Sequence, residues 1–138
     1  MPDCLALWLP GEESVEADGH WLKARFPRRL WIAAELLCGA DDAGWLARLR
    51  ALGAACSLPL VAAGDVHMHA RSRRALQDTL TAIRLRTPLF EAGKALFPNA
   101  ERHLRTRLRL ARLYPLALLA ETLKIAALCR FSPAELRY

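Results

Sequence analysis

The residues that could do chemistry gather in one short stretch, Gly64-Asp65-Val66-His67-Met68-His69. It follows directly on Leu58-Pro59-Leu60-Val61-Ala62-Ala63, an apolar run of strand length. In barrels and open parallel sheets, functional side chains sit where a strand ends and its loop begins. Asp65 and His67 are two residues apart, so an extended backbone points both to one side, and His69 continues the alternation. A carboxylate and an imidazole so placed suit a divalent ion such as zinc or manganese. Such an ion activates water for attack on a phosphate ester. One Asp and two His do not complete a closed four-ligand site, and a hydrogen-bonded Asp–His pair in a polar loop accounts for the same residues without a metal. Both readings stay open.

A second group is cationic. Arg102, Arg105, Arg109 and Arg112 are spaced by three, four and three, which predicts one face of a helix from about 100 to 114. Guanidinium groups in such a row neutralise nucleic-acid phosphates, with strongly salt-dependent binding. A docking surface for another domain and a solvated face fit the stripe equally. The charge balance sharpens this: residues 1–70 carry six Lys/Arg against nine Asp/Glu, residues 71–138 fourteen against five. A basic second half implies an anionic partner, nucleic acid or protein.

The elements that must position these residues alternate in the first half. Leu5–Leu9, Leu30–Leu37 and Leu58–Ala63 read as buried strands, with Glu35 the polar interruption of the second. Helices are predicted from Ser14, as N-cap, to Phe26, and from Asp41, as N-cap, to Cys56. Strand, helix, strand, helix, strand is the pattern of an α/β fold with a parallel sheet. The second half reads as helical: about 73–86 with Leu76, Leu80 and Ile83 on one side, then 100–114, then Pro115 to Cys129 with the proline in the first turn. A division between residues 1–72 and 73–138 follows. Trp8, Trp31 and Trp45 fall on apolar runs and read as core; Trp21 is less so, flanked by His20 and Lys23, and His20 and His103 read as surface residues.

The 138 residues are 54% hydrophobic and 25% charged, within the range of a folded globular domain. No apolar run reaches the about 18 residues that a membrane span needs, so a cytoplasmic chain is expected. Cysteines at 4, 38, 56 and 129 form no C-x-x-C pair and are expected to be small core residues.

The stretch Leu58 to His67 resembles the last strand and Asp-x-His motif of the PHP domain in bacterial C-family DNA polymerases. The run Arg71 to Arg84 is similar to the error-prone branch of that family, as is Pro98-Asn99-Ala100-Glu101-Arg102-His103-Leu104-Arg105. The run Ala120 to Ser132, with Glu135-Leu136-Arg137-Tyr138, resembles the approach to a polymerase core. The resemblance implies the C-terminal portion of a distorted (β/α) PHP-type barrel followed by a helical connector. It implies that Asp65 and His67 are ligands of a zinc or manganese ion in an incomplete site; His69 has no counterpart, and Glu35 is a weaker candidate. The opening His-x-His motif of the family has no match here, and the magnesium-binding aspartates of a polymerase palm would lie beyond Tyr138.

The expectation is therefore a fragment of an error-prone polymerase active in damage-induced mutagenesis and translesion synthesis. Its expected partners are DNA, the remaining polymerase domains and mutagenesis accessory proteins, with no membrane. Two rivals are a stand-alone metal-dependent phosphoesterase and a non-catalytic basic nucleic-acid-binding module. A truncated barrel also predicts an open sheet edge and a chain prone to aggregate in isolation.

Overall fold

The computed structural model describes residues 4–135. The three apolar runs form strands β1 (Ala6–Trp8), β2 (Leu30–Glu35) and β3 (Leu60–Ala63). They pair in the order β1-β2-β3, all parallel, with Trp8 opposite Ile32 and Ile32 opposite Leu60. Parallel neighbours need a crossover between them. Helices α1 (Glu16–Arg25) and α2 (Asp42–Cys56) supply the two crossovers. The α/β class expected from the sequence is thus what forms; its described part is a three-stranded sheet.

The caps show how local chemistry sets these helices. The Asp41 carboxylate accepts from the Gly44 N–H at 3.1 Å, as its position before α2 predicts. Ser14 does not cap α1. Its hydroxyl accepts from the Gly11 N–H at 2.9 Å and closes the preceding turn. The helix starts at Glu16 instead, with Asp18 reaching back to the Val15 N–H at 3.0 Å.

Leu30, Ile32 and Ala34 of β2 meet Leu49, Leu52 and Cys56 of α2 in the core, where Ile32, Leu49 and Cys56 are wholly buried. Trp8 and Trp45 pack on its margin, and Trp31 is buried. Trp21 is exposed, with the Arg25 guanidinium over its ring. Cys56 fulfils the core reading of the cysteines, whereas Cys4, Cys38 and Cys129 are exposed and do not.

The second half contributes α3 (Arg74–Leu85), α4 (Arg107–Leu113) and α5 (Leu116–Leu128). Helix α5 packs along β3, and Trp31 Nε1 donates to Glu121 Oε2 at 3.0 Å. Tyr114 and Leu118 join the same core cluster as β2 and α2, so residues beyond 72 contribute to the core of the first half.

A further expectation needs correction. The helix predicted over 100–114 is only Arg107–Leu113, capped by the Thr106 hydroxyl accepting from the Arg109 N–H at 3.2 Å. Residues before it are drawn into tertiary hydrogen bonds that a helix would forbid. On α3 the row Leu76, Leu80 and Ile83 faces outward, 53%, 52% and 66% exposed. Among the described residues, no helix is long and apolar enough to cross a membrane.

Candidate functional site

The candidate site lies at the C-terminal ends of β2 and β3, the end at which open α/β sheets place ligands. Glu35 is the last residue of β2, and Gly64 to His67 follow β3. The segment Asn99–Arg105 crosses between them as a strap, held on both sides. Toward the β2 loop, Asn99 Nδ2 donates to the Leu37 carbonyl at 2.7 Å and Arg105 Nη1 to that of Leu36 at 2.9 Å. Toward the β3 loop, the Arg102 carbonyl accepts from the N–H groups of His67 and Met68 at 2.9 and 3.1 Å, and Leu104 N–H donates to Met68 O at 3.0 Å. These bonds make one parallel bridge, Met68 to His103, outside the sheet.

Arg102 pairs with the Asp65 carboxylate, and its guanidinium stands 4.0 Å from Glu35 Oε2. It also covers the Phe97 ring, 4.4 Å from the centroid. The other Asp65 oxygen lies 3.2 Å from His67 Nε2, and the His67 ring leans on Phe97 at 4.9 Å between centroids. The predicted pair Asp65 and His67 is therefore together, although Asp65 has a positive φ of 41° and the segment is not extended as supposed. An aspartate tolerates that left-handed geometry better than most side chains. His69 is exposed and His20 is exposed; half-buried His103 has Nδ1 2.8 Å from the Ala100 carbonyl.

The neighbouring cluster centres on Glu101, a carboxylate only 2% exposed. Arg71 pairs with one of its oxygens; Arg109 and Arg105 approach the other at 3.5 and 3.7 Å. Arg105 is itself 2% exposed in its side chain. Burying an acid with several cations this close offsets the cost of taking each out of water. The four expected stripe arginines thus do not share a face. Arg102 and Arg105 are turned inward on the strap, and only Arg109 and Arg112 lie exposed on α4. Tyr114 closes the floor: its hydroxyl accepts from the Leu36 N–H at 3.0 Å and donates to the Ala63 carbonyl at 2.6 Å. Burial pushes its pKa up from the ordinary tyrosine value.

Sequence reasoning missed Glu101, Phe97 and Tyr114. The signal available for Glu101 was its place in the run Asn99 to Arg105, where an acid sits among arginines just after a Pro-Asn turn. Among the described residues no three His, Cys, Asp or Glu groups converge as a metal site, and both Asp65 oxygens already face internal partners.

Fold and site together define a parallel α/β unit whose strand ends are tied by an internal ion-pair strap. No protein-family model matches the chain. Curated relatives do. Over its full length it is 64% identical to the error-prone DNA polymerase of Dechloromonas aromatica (strain RCB) and 60% identical to that of Azoarcus sp. (strain BH72). Over 97% of its length it is 58% identical to the error-prone DNA polymerase of Pseudomonas aeruginosa. The chain spans only 13% of the length of each of these relatives. It is thus similar to one segment of proteins named error-prone DNA polymerase.

Proposed function

We propose that this chain is the late PHP-type portion of an error-prone DNA polymerase and acts there as a scaffold, not as a second active site. The strap carries this reading: the polar residues at the strand ends are spent on one another, in Asp65–Arg102 and in Glu101 with its three arginines. Nucleotidyl transfer with magnesium, and with it translesion synthesis in damage-induced mutagenesis, falls to other domains of that polymerase. DNA, those domains and mutagenesis accessory proteins are its proposed partners. The outward apolar row Leu76, Leu80 and Ile83 on α3 supports an inter-domain role, because a lone globular domain seldom exposes such a row.

An antibody raised against the chain tests the reading on the native product. A band on the order of 100 kDa or more is expected of a multidomain protein. A native band near the 15.4 kDa of this chain would sink the polymerase reading and favour a free-standing protein.

A second reading, direct DNA contact, rests on Arg112, exposed on α4, and on Arg109, whose side chain is 46% exposed although it also faces Glu101. It predicts affinity for duplex DNA that falls steeply with salt and drops in Arg109→Gln/Arg112→Gln. Affinity unaltered in that double variant would discard it.

A further inference from the structure

We propose that Arg102 is the resident cation of the strand-end site, standing where Asp65, Glu35 and His67 would otherwise gather a divalent metal ion. The inference goes beyond the scaffold reading and does not depend on it, since it concerns the cation preference of this chain alone.

Two carboxylates face one guanidinium, and an imidazole stands on the far side of the nearer carboxylate. Asp65 pairs with Arg102, Glu35 Oε2 stands 4.0 Å from it, and His67 Nε2 is 3.2 Å from the other oxygen of the Asp65 carboxylate. Carboxylates and an imidazole are the donor types that zinc or manganese takes, yet with the guanidinium among them these three do not come together as a metal site. Their separation by a cation is what keeps them from being one. The guanidinium is not a loose surface group. Its side chain is 20% exposed, its plane rests on Phe97, and its own carbonyl is held by two N–H groups of the β3 loop. The strap therefore delivers a fixed positive charge to this point whenever the chain is folded. A second, divalent charge within a few ångströms of it is repelled, and the Asp65 oxygens that would ligate it are engaged.

A chain built this way needs no metal to hold its strand ends together. The guanidinium also differs from a metal in what it can do: it carries charge and five N–H donors, but binds no water for activation.

The experiment titrates manganese and zinc chloride into the 138-residue chain at low micromolar concentration. Binding is read by loss of the aqueous manganese resonance signal and by calorimetry. The unsubstituted chain is expected to show no stoichiometric binding, and Arg102→Lys, which keeps one positive charge, to behave the same way. Arg102→Gln is expected to bind at least about tenfold more tightly, the scale on which neighbouring groups alter metal affinity. That gain is expected to vanish in Arg102→Gln/Asp65→Asn, where Asn is chosen because it accepts the positive φ. Circular dichroism checks that each variant is folded. Stoichiometric manganese binding by the unsubstituted chain, abolished by Asp65→Asn, would overturn the proposal. So would a folded Arg102→Gln variant that binds no better than the original. Should Arg102→Gln fail to fold, the unsubstituted chain and Arg102→Lys decide: binding by either contradicts the proposal, and its absence from both supports it.

Discussion

At the scale of single residues, the least replaceable group is Glu101. Its carboxylate is buried among Arg71, Arg105 and Arg109, and removing it leaves the Arg105 charge uncompensated in the interior. Glu101→Ala is expected to lower unfolding free energy by about 3–5 kcal/mol, as loss of one partner of a buried ion pair does. Urea denaturation measures it, and a loss under about 1 kcal/mol, the value of a surface pair, would show the cluster to be solvated. Tyr114 gives a pH test. Burial raises its pKa above the ordinary 10.0, so its neutral form is the one the fold prefers. Such a group contributes stability that is complete below the unfolded pKa and is lost as pH climbs through the folded value. Stability is therefore expected to fall above about pH 10, and Tyr114→Phe to lack this component while costing about 1–3 kcal/mol at neutral pH. A pH series of melts on both proteins checks it. The pairing of Asp65 with His67 was legible in the sequence because two residues of separation suffice to bring them together. The partnership of Asp65 with Arg102 was not, since it depends on where a distant segment returns. Arginine spacing alone misled, because three-four-three describes a helix face only if a helix forms.

At the scale of elements, the alternation of strands and helices through Ala63 could be read directly, because apolar runs, Asp41 and the glycines are local signals. The first part of the predicted 100–114 helix failed for a tertiary reason. Asn99, Arg102 and Arg105 hydrogen-bond to Leu37, His67, Met68 and Leu36, and these bonds outweigh a modest local preference. Helix α1 depends on close approach at Gly19, where a Cβ would fall against Cys56 Sγ and within 2.8 Å of the Trp8 ring. Gly19→Ala is expected to destabilise by about 1–3 kcal/mol despite alanine's better helix propensity. A midpoint raised instead of lowered in thermal unfolding would show that α1 and α2 have room to separate. On α3 the opposite holds. Leu80→Glu/Ile83→Lys is expected to change unfolding free energy by no more than about 0.5 kcal/mol per site, because both side chains face outward. The same variant is expected to reduce self-association in sedimentation experiments, where an unchanged oligomer would exonerate that row.

At the scale of the whole molecule, the core is closed by the chain's own second half, through Tyr114 and Leu118, while the apolar α3 row is left uncovered. That combination suits a module that holds its own shape and presents a surface to a larger body. The relatives it matches are more than seven times its length, by the 13% each match spans. The most direct test exchanges this chain for the corresponding segment of the Dechloromonas aromatica error-prone DNA polymerase and measures primer extension on damaged and undamaged templates. The scaffold account predicts that the exchanged polymerase works. It also predicts that Asp65→Asn/His67→Gln within it leaves turnover unchanged to about twofold, under half a kcal/mol of barrier. Extension abolished by that pair of substitutions, in a polymerase that still melts at the parental temperature, would contradict the account and return chemistry to the strand ends.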